Sequence, residues 1–157
     1  MRRPERPDPD AALWWAVVDG SPPARVTGDL APDRAAGPLF PQESGAAIEV
    51  WTESELSAMT ALWWLSRRQG GHRLRESLFA SARWHLDNTQ PDNATNRPWA
   101  IPVYLELAVL DGSPNARLFA ETLLHNAIAA NGVPEPFSAQ ILVDAADAVD
   151  AMLAERA

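Results

Sequence analysis

The sequence predicts a mainly α fold: about five helices in stacked antiparallel hairpins, α/α-toroid-like or bundled, behind an irregular N-terminal third carrying short β-strands. Three observations lead there. Eight of the 14 prolines fall within the first 41 residues, where glycine is also frequent, and such a stretch disfavours regular helix. From Thr52 onward, apolar residues recur at helical spacing. The periodic segments are divided by proline, glycine and asparagine at positions that suit helix starts and stops.

Residues 1–12, rich in charge and proline, are expected to form a disordered tail. Residues 13–51 are expected to be an irregular segment packed on the helices. Within it Leu13–Val18 and Arg25–Thr27 flank Asp19-Gly20 as a hairpin would, and Ala47–Trp51 offers a third short strand. The helical-hairpin domain should span 52–157.

Its first helix has a capping box in Thr52 and Glu55 and a hydrophobic staple in Trp51 and Leu56. It should end near Gln69, where Arg67 and Arg68 suit the negative end of the dipole and Gly70-Gly71 supplies a left-handed stop. The second helix runs from about His72 to Asn88, with Leu74, Leu78, Ala82 and Leu86 as an apolar stripe. After a polar connection, Asp87 to Arg97, the third helix runs from about Ile101 to Leu110 past Pro98 and Pro102. Its Val103, Tyr104, Leu105, Leu107, Val109 and Leu110 are apolar nearly all round, which calls for neighbours on several sides. Ser113-Pro114 opens the fourth helix and Asn131-Gly132 closes it. The fifth spans Phe137 to Glu155, with Ile141, Ala145, Ala148, Val149 and Met152 facing inward and Asp144, Asp147 and Asp150 facing water.

An internal echo supports stacking. Leu78-Phe79-Ala80 and His85 recur 40 residues on as Leu118-Phe119-Ala120 and His125, and Trp64-Leu65 meets Tyr104-Leu105 at the same offset.

Composition narrows the functional classes. At 157 residues the chain is one domain's worth, able to bury about 70% of its unfolded surface. The absence of cysteine excludes disulfides, thiolate metal sites and cysteine nucleophiles. Acidic residues outnumber basic ones 21 to 13, the formal charge is −8 and the pI is near 4.8, so nucleic acid is not an expected partner. No signal-like stretch and no run of about 18 apolar residues is present, which points to a cytoplasmic chain without a membrane span.

Seven tryptophans, Trp14, Trp15, Trp51, Trp63, Trp64, Trp84 and Trp99, are expected chiefly to fill gaps between helices, the functional reading being an aromatic platform for a sugar ring or other flat ligand. The connection Asp87–Arg97 concentrates amides, carboxylates and hydroxyls between two apolar helices. Such groups bind sugars, peptides or hard cations, and they also satisfy backbone groups at turns and helix ends. The candidate ligand-binding residues are Trp51, Glu53, Asn88, Gln90, Asp92, Asn93, Asn96, Trp99 and Tyr104. No catalytic residue, metal site or cofactor is expected. The 92–96 run lacks the glycine and distant glutamate of a calcium loop. Neither His85 nor His125 has a ligand-spaced neighbour, and nucleophile-elbow, P-loop and dinucleotide signatures are missing. Glu53 with Glu55 or Asp92 could pair as glycosidase carboxylates, although both glutamates also suit a helix start.

The stretch Gln90-Pro91-Asp92-Asn93-Ala94-Thr95-Asn96-Arg97-Pro98-Trp99-Ala100, with Glu49-Val50-Trp51-Thr52-Glu53 upstream, resembles segments of functionally undescribed bacterial proteins. In outline, the hairpin pattern from residue 52 is similar to α/α-toroid proteins, which include terpenoid-cyclase-like folds and six-hairpin glycosidases. That resemblance covers two thirds of the chain and implies fold alone, because the aspartate-rich motif of the cyclases is absent. The expected function is a non-catalytic helical module that binds another protein or itself. The alternative is a small carbohydrate-binding or glycoside-processing domain using the 87–99 connection.

Overall fold

The computed structural model describes residues 8–23, 37–42, 47–91, 96–133 and 135–155. It is mainly helical. Among the described residues six helices follow one another: α1 Pro9–Val18, α2 Ile48–Ser66, α3 His72–Asn88, α4 Ile101–Asp111, α5 Pro114–Asn131 and α6 Pro136–Ala154. No strand occurs among them, and no helix among them is long and apolar enough to cross a membrane. The chain divides into two compact units, Met1–Trp84 and His85–Ala157.

Among the described residues the expected N-terminal strands are not formed. Leu13–Val18 lies in α1, where Pro9 occupies the first turn and Leu13 and Ala16, three apart, are both buried. Asp19-Gly20, read as a hairpin turn, ends this helix instead. Gly20 takes φ +67°, its N–H donates to Val17 O (3.2 Å), and Ser21 N–H reaches back to Ala16 O (2.9 Å), the paired bonds of a Schellman stop. Ala47–Trp51 likewise opens α2, which begins at Ile48. Arg25–Thr27 lies outside the described residues.

In the first unit α1 packs on α2. The Trp14 indole N–H donates to Ser57 Oγ (2.9 Å), Ser57 Oγ donates to Asp10 Oδ2 (3.3 Å), and Trp14 meets Trp64 edge to face at 5.3 Å. Arg68, just beyond α2, donates to the carbonyls of Val17 (2.8 Å), Ser21 (3.1 Å) and Ala16 (3.4 Å). The cation expected to serve its own helix thus sits at the negative end of α1. The second half of α2 is buried almost all round, including Leu56, Met59, Leu62, Trp63 and Leu65. Its hydroxyls are satisfied locally, Thr60 on Leu56 O and Ser66 on Trp63 O.

The capping box at Thr52 does not form. Thr52 lies inside α2 and is buried, and the fully buried Glu55 carboxylate accepts from Leu39 N (2.8 Å) and Phe40 N (2.6 Å). Trp51, expected as a staple, donates its indole N–H to Phe40 O (3.2 Å) and packs edge-on against Trp84.

In the second unit α4 is the central element and packs on both α5 and α6, as its apolar circumference predicts. Ile101, Val103, Tyr104 and Leu107 are buried. Ser113 Oγ accepts from Ala116 N (3.2 Å) at the start of α5, and Gly132 takes φ +67° just after it. Ile141, Ala145 and Ala148 form the buried face of α6, with Val149 and Met152 half-buried. Of the 40-residue echo, Phe79 and Phe119 share burial, whereas Leu78 and His85 are buried and Leu118 and His125 exposed.

Candidate functional site

Two clefts open on the second unit, one at each end of the polar connection. The first is built around the start of α6. Pro136 holds the first helical position and has no N–H, so the next two amides need acceptors. Glu135 provides them: its carboxylate accepts from Phe137 N (2.8 Å), Ser138 N (3.0 Å) and Ser138 Oγ (2.6 Å). The Ser138 hydroxyl foremost, then the Phe137 amide, hold this carboxyl below the usual glutamate range, with smaller help from the Ser138 amide and Arg97.

Arg97 lies 3.5 Å from Glu135 Oε1 through its Nη1, and among the described residues this is its one ion pair. Asn96, Arg97 and Pro98 supply one side of the cleft, Ala127 and Ile128 come from α5, and Val133 from the turn after it. Glu135, Ser138 and Leu142 complete a space of about 270 Å³. Its apolar wall is unusually open, with Val133 83% exposed and Ile128 51%. Beside it Phe137, 40% exposed, meets Trp99 edge to face at 5.9 Å. Trp99 is steadied by the turn into α4, where Ala100 takes φ +58°, the one non-glycine at positive φ among the described residues.

The second cleft, about 390 Å³, lies where α3 ends, lined by Leu86, Thr89, Gln90 and Pro91 and by Asn115, Leu118, Phe119 and Thr122 of α5. Among the described residues no ionisable side chain lines it. Thr89 Oγ1 lies 3.0 Å from His85 O and 3.1 Å from His85 Nδ1 and is hydrogen-bonded within its own helix end. Thr122 Oγ1 donates to Leu118 O (2.8 Å). The Gln90 and Asn115 amides make no hydrogen bond among the described residues.

The residues expected to form a site are thus dispersed. Asn96 lines the first cleft and Gln90 the second. Trp99 borders the first through Phe137, and Asn88, the exposed last residue of α3, lines neither. Tyr104 is fully buried against Phe119, ring centroids 4.3 Å apart, and belongs to the core. Trp51 and Glu53, both half-buried, belong to the first unit. Asp92 and Asn93 lie outside the described residues. Among the described residues no group of three histidine, aspartate or glutamate side chains could hold a metal ion.

Sequence reasoning missed Ile128, Val133, Glu135, Ser138 and Leu142 in the first cleft and Asn115, Leu118 and Thr122 in the second. They come from the last two helices and the turn between them, 18 or more residues beyond the connection. The one local signal was Val133, an aliphatic residue set between Asn131-Gly132 and Pro134 where turn chemistry alone asks for polar groups. No family model, no curated protein and no solved structure matches this chain.

Proposed function

We propose that the chain is a non-catalytic helical module, its helices stacked as hairpins, that binds a partner protein through the cleft at the start of α6. The observation that carries this reading is the exposure of Ile128 and Val133 in one recess that also holds Arg97 and Asn96, with the exposed Phe137 adjoining its Ser138 in sequence. Apolar side chains scattered singly over a surface need no explanation, but several gathered at a concave site with a few polar groups are the usual make-up of a recognition surface.

The test is a display screen of random peptides against the immobilised full chain, with Val133→Asp as control. Val133 is exposed, so the substitution should leave the fold intact by circular dichroism. Peptides that bind the native chain and lose binding to the variant support the reading. Peptides that bind both equally, or an empty screen with a monomer in light scattering at every concentration, reject it.

A second reading, carbohydrate binding, is favoured by the second cleft, whose Gln90 and Asn115 carboxamides have no hydrogen bond and whose lining has no charge among the described residues. Amides and hydroxyl oxygens suit the alternating donors and acceptors of a sugar. Backbone amide shifts near Gln90 and Asn115 on titration with a glycan panel would support it, and an unmoved spectrum would reject it.

A further inference from the structure

The cleft at the start of α6 sets an aliphatic wall, Ala127, Ile128, Val133 and Leu142, beside a guanidinium, Arg97. An occupant must satisfy both. A wholly apolar one would strip water from Arg97 and give nothing back, and a cationic one would meet it as a like charge.

The neighbouring carboxylate does not use Arg97 up. Glu135 already accepts from two amides and a hydroxyl at the start of α6, and Arg97 stands at the long edge of ion-pair distance, 3.5 Å, with both side chains about half exposed (48% each). A guanidinium carries five N–H donors in a fork that fits a carboxylate through two parallel bonds. Most of those donors have no partner among the described residues.

An acidic side chain within a peptide is a poorer match, because in an extended chain its immediate neighbours point to the opposite face and the next side chain on its own face stands about 7 Å along. A C-terminal residue is different: its carboxylate and its side chain leave the same carbon atom. The net charge of −8 does not forbid an anion here, since remote charges are screened beyond about 8 Å at physiological salt while Arg97 acts at contact.

We propose that this cleft receives the free C-terminus of a partner polypeptide whose last residue is aliphatic. The α-carboxylate lies on Arg97, and the final side chain lies against Ile128 and Val133. This rests on the protein-binding reading of the same cleft and names the part of the partner that enters it.

The test measures fluorescence polarisation of labelled hexapeptides with the full chain. One peptide ends in Ala-Val-Leu as a free acid, one has the same sequence amidated, and one is amidated with a glutamate after the leucine. The expected result is binding of the free acid, weakened about tenfold or more by amidation and by Arg97→Ala, with partial retention in Arg97→Lys. Affinity should fall as salt is raised. Equal binding of acid and amide, equal binding of the glutamate peptide, or indifference to Arg97→Ala overturns the proposal. If Val133→Asp still abolishes binding in those cases, the protein-binding reading stands without it. If no peptide of the three binds, this proposal falls, and if screened peptides also ignore Val133→Asp, both readings fall.

Discussion

Glu55 and Glu135 put one chemical group to one use: each carboxylate gathers two backbone N–H groups that would otherwise lack acceptors. Their surroundings set different consequences. Glu55 is fully buried, so Glu55→Ala strands the Leu39 and Phe40 amides away from water and removes two charge-assisted bonds. The expected loss is about 3 kcal/mol, read from urea unfolding, and a loss below about 1 kcal/mol would contradict it. Glu135 is exposed, and its effect appears as pH dependence. Its folded carboxyl titrates below the ordinary glutamate range, so the folded chain holds its proton less tightly than the unfolded one. The stabilisation is therefore complete above the ordinary glutamate pKa and fades as pH falls through the lower folded value. Amide hydrogen exchange at Phe137 and Ser138 should accelerate over that acid window beyond the intrinsic pH trend, and Glu135→Gln should blunt the change. Neither role was legible locally for Glu55. Its spacing from Thr52 fits a capping box, whereas its actual partners lie 16 and 15 residues back.

At the scale of the element, positions with strong local chemistry were legible and ambiguous dipeptides were not. His72–Asn88 follows from its leucine stripe, and α5 follows from a serine cap, a proline in the first turn and a terminal glycine. Asp19-Gly20 failed as a hairpin signal because a hairpin turn and a Schellman stop make the same demand, a residue at positive φ. Only the partners of the neighbouring amides distinguish the two, and those are set by the fold. The Gly70-Gly71 pair shows the same economy with two separate reasons. Gly70 takes φ +81° in open space, whereas a Cβ on Gly71 would stand 2.3 Å from the carbonyl oxygen of Ser66. Gly71→Ala therefore forces backbone apart and should cost about 1–3 kcal/mol, while Gly70→Ala pays only left-handed strain of about 1 kcal/mol. Thermal unfolding of the two variants side by side checks the order, and equal midpoints would refute it.

At the scale of the whole molecule, composition set the class and left the site to tertiary structure. The connection between α3 and α4 stood out by its polarity, and Gln90 and Asn96 do line clefts. The walls they face come from α5 and α6, whose apolar exposed residues look in sequence like ordinary helix positions. The N-terminal proline cluster misled in the other direction, since it reads as an irregular segment with short strands, whereas α1 within it is a helix hydrogen-bonded to α2. Arg68 shows what removing it would do. A chain shortened to begin at residue 37 would leave that guanidinium without the Val17, Ser21 and Ala16 carbonyls and Ser57 without Trp14 and Asp10. Its melting temperature should drop, and a midpoint equal to that of the full chain would refute this. Anyone trimming the protein for expression or crystallisation would thus be cutting away a bolt rather than packaging.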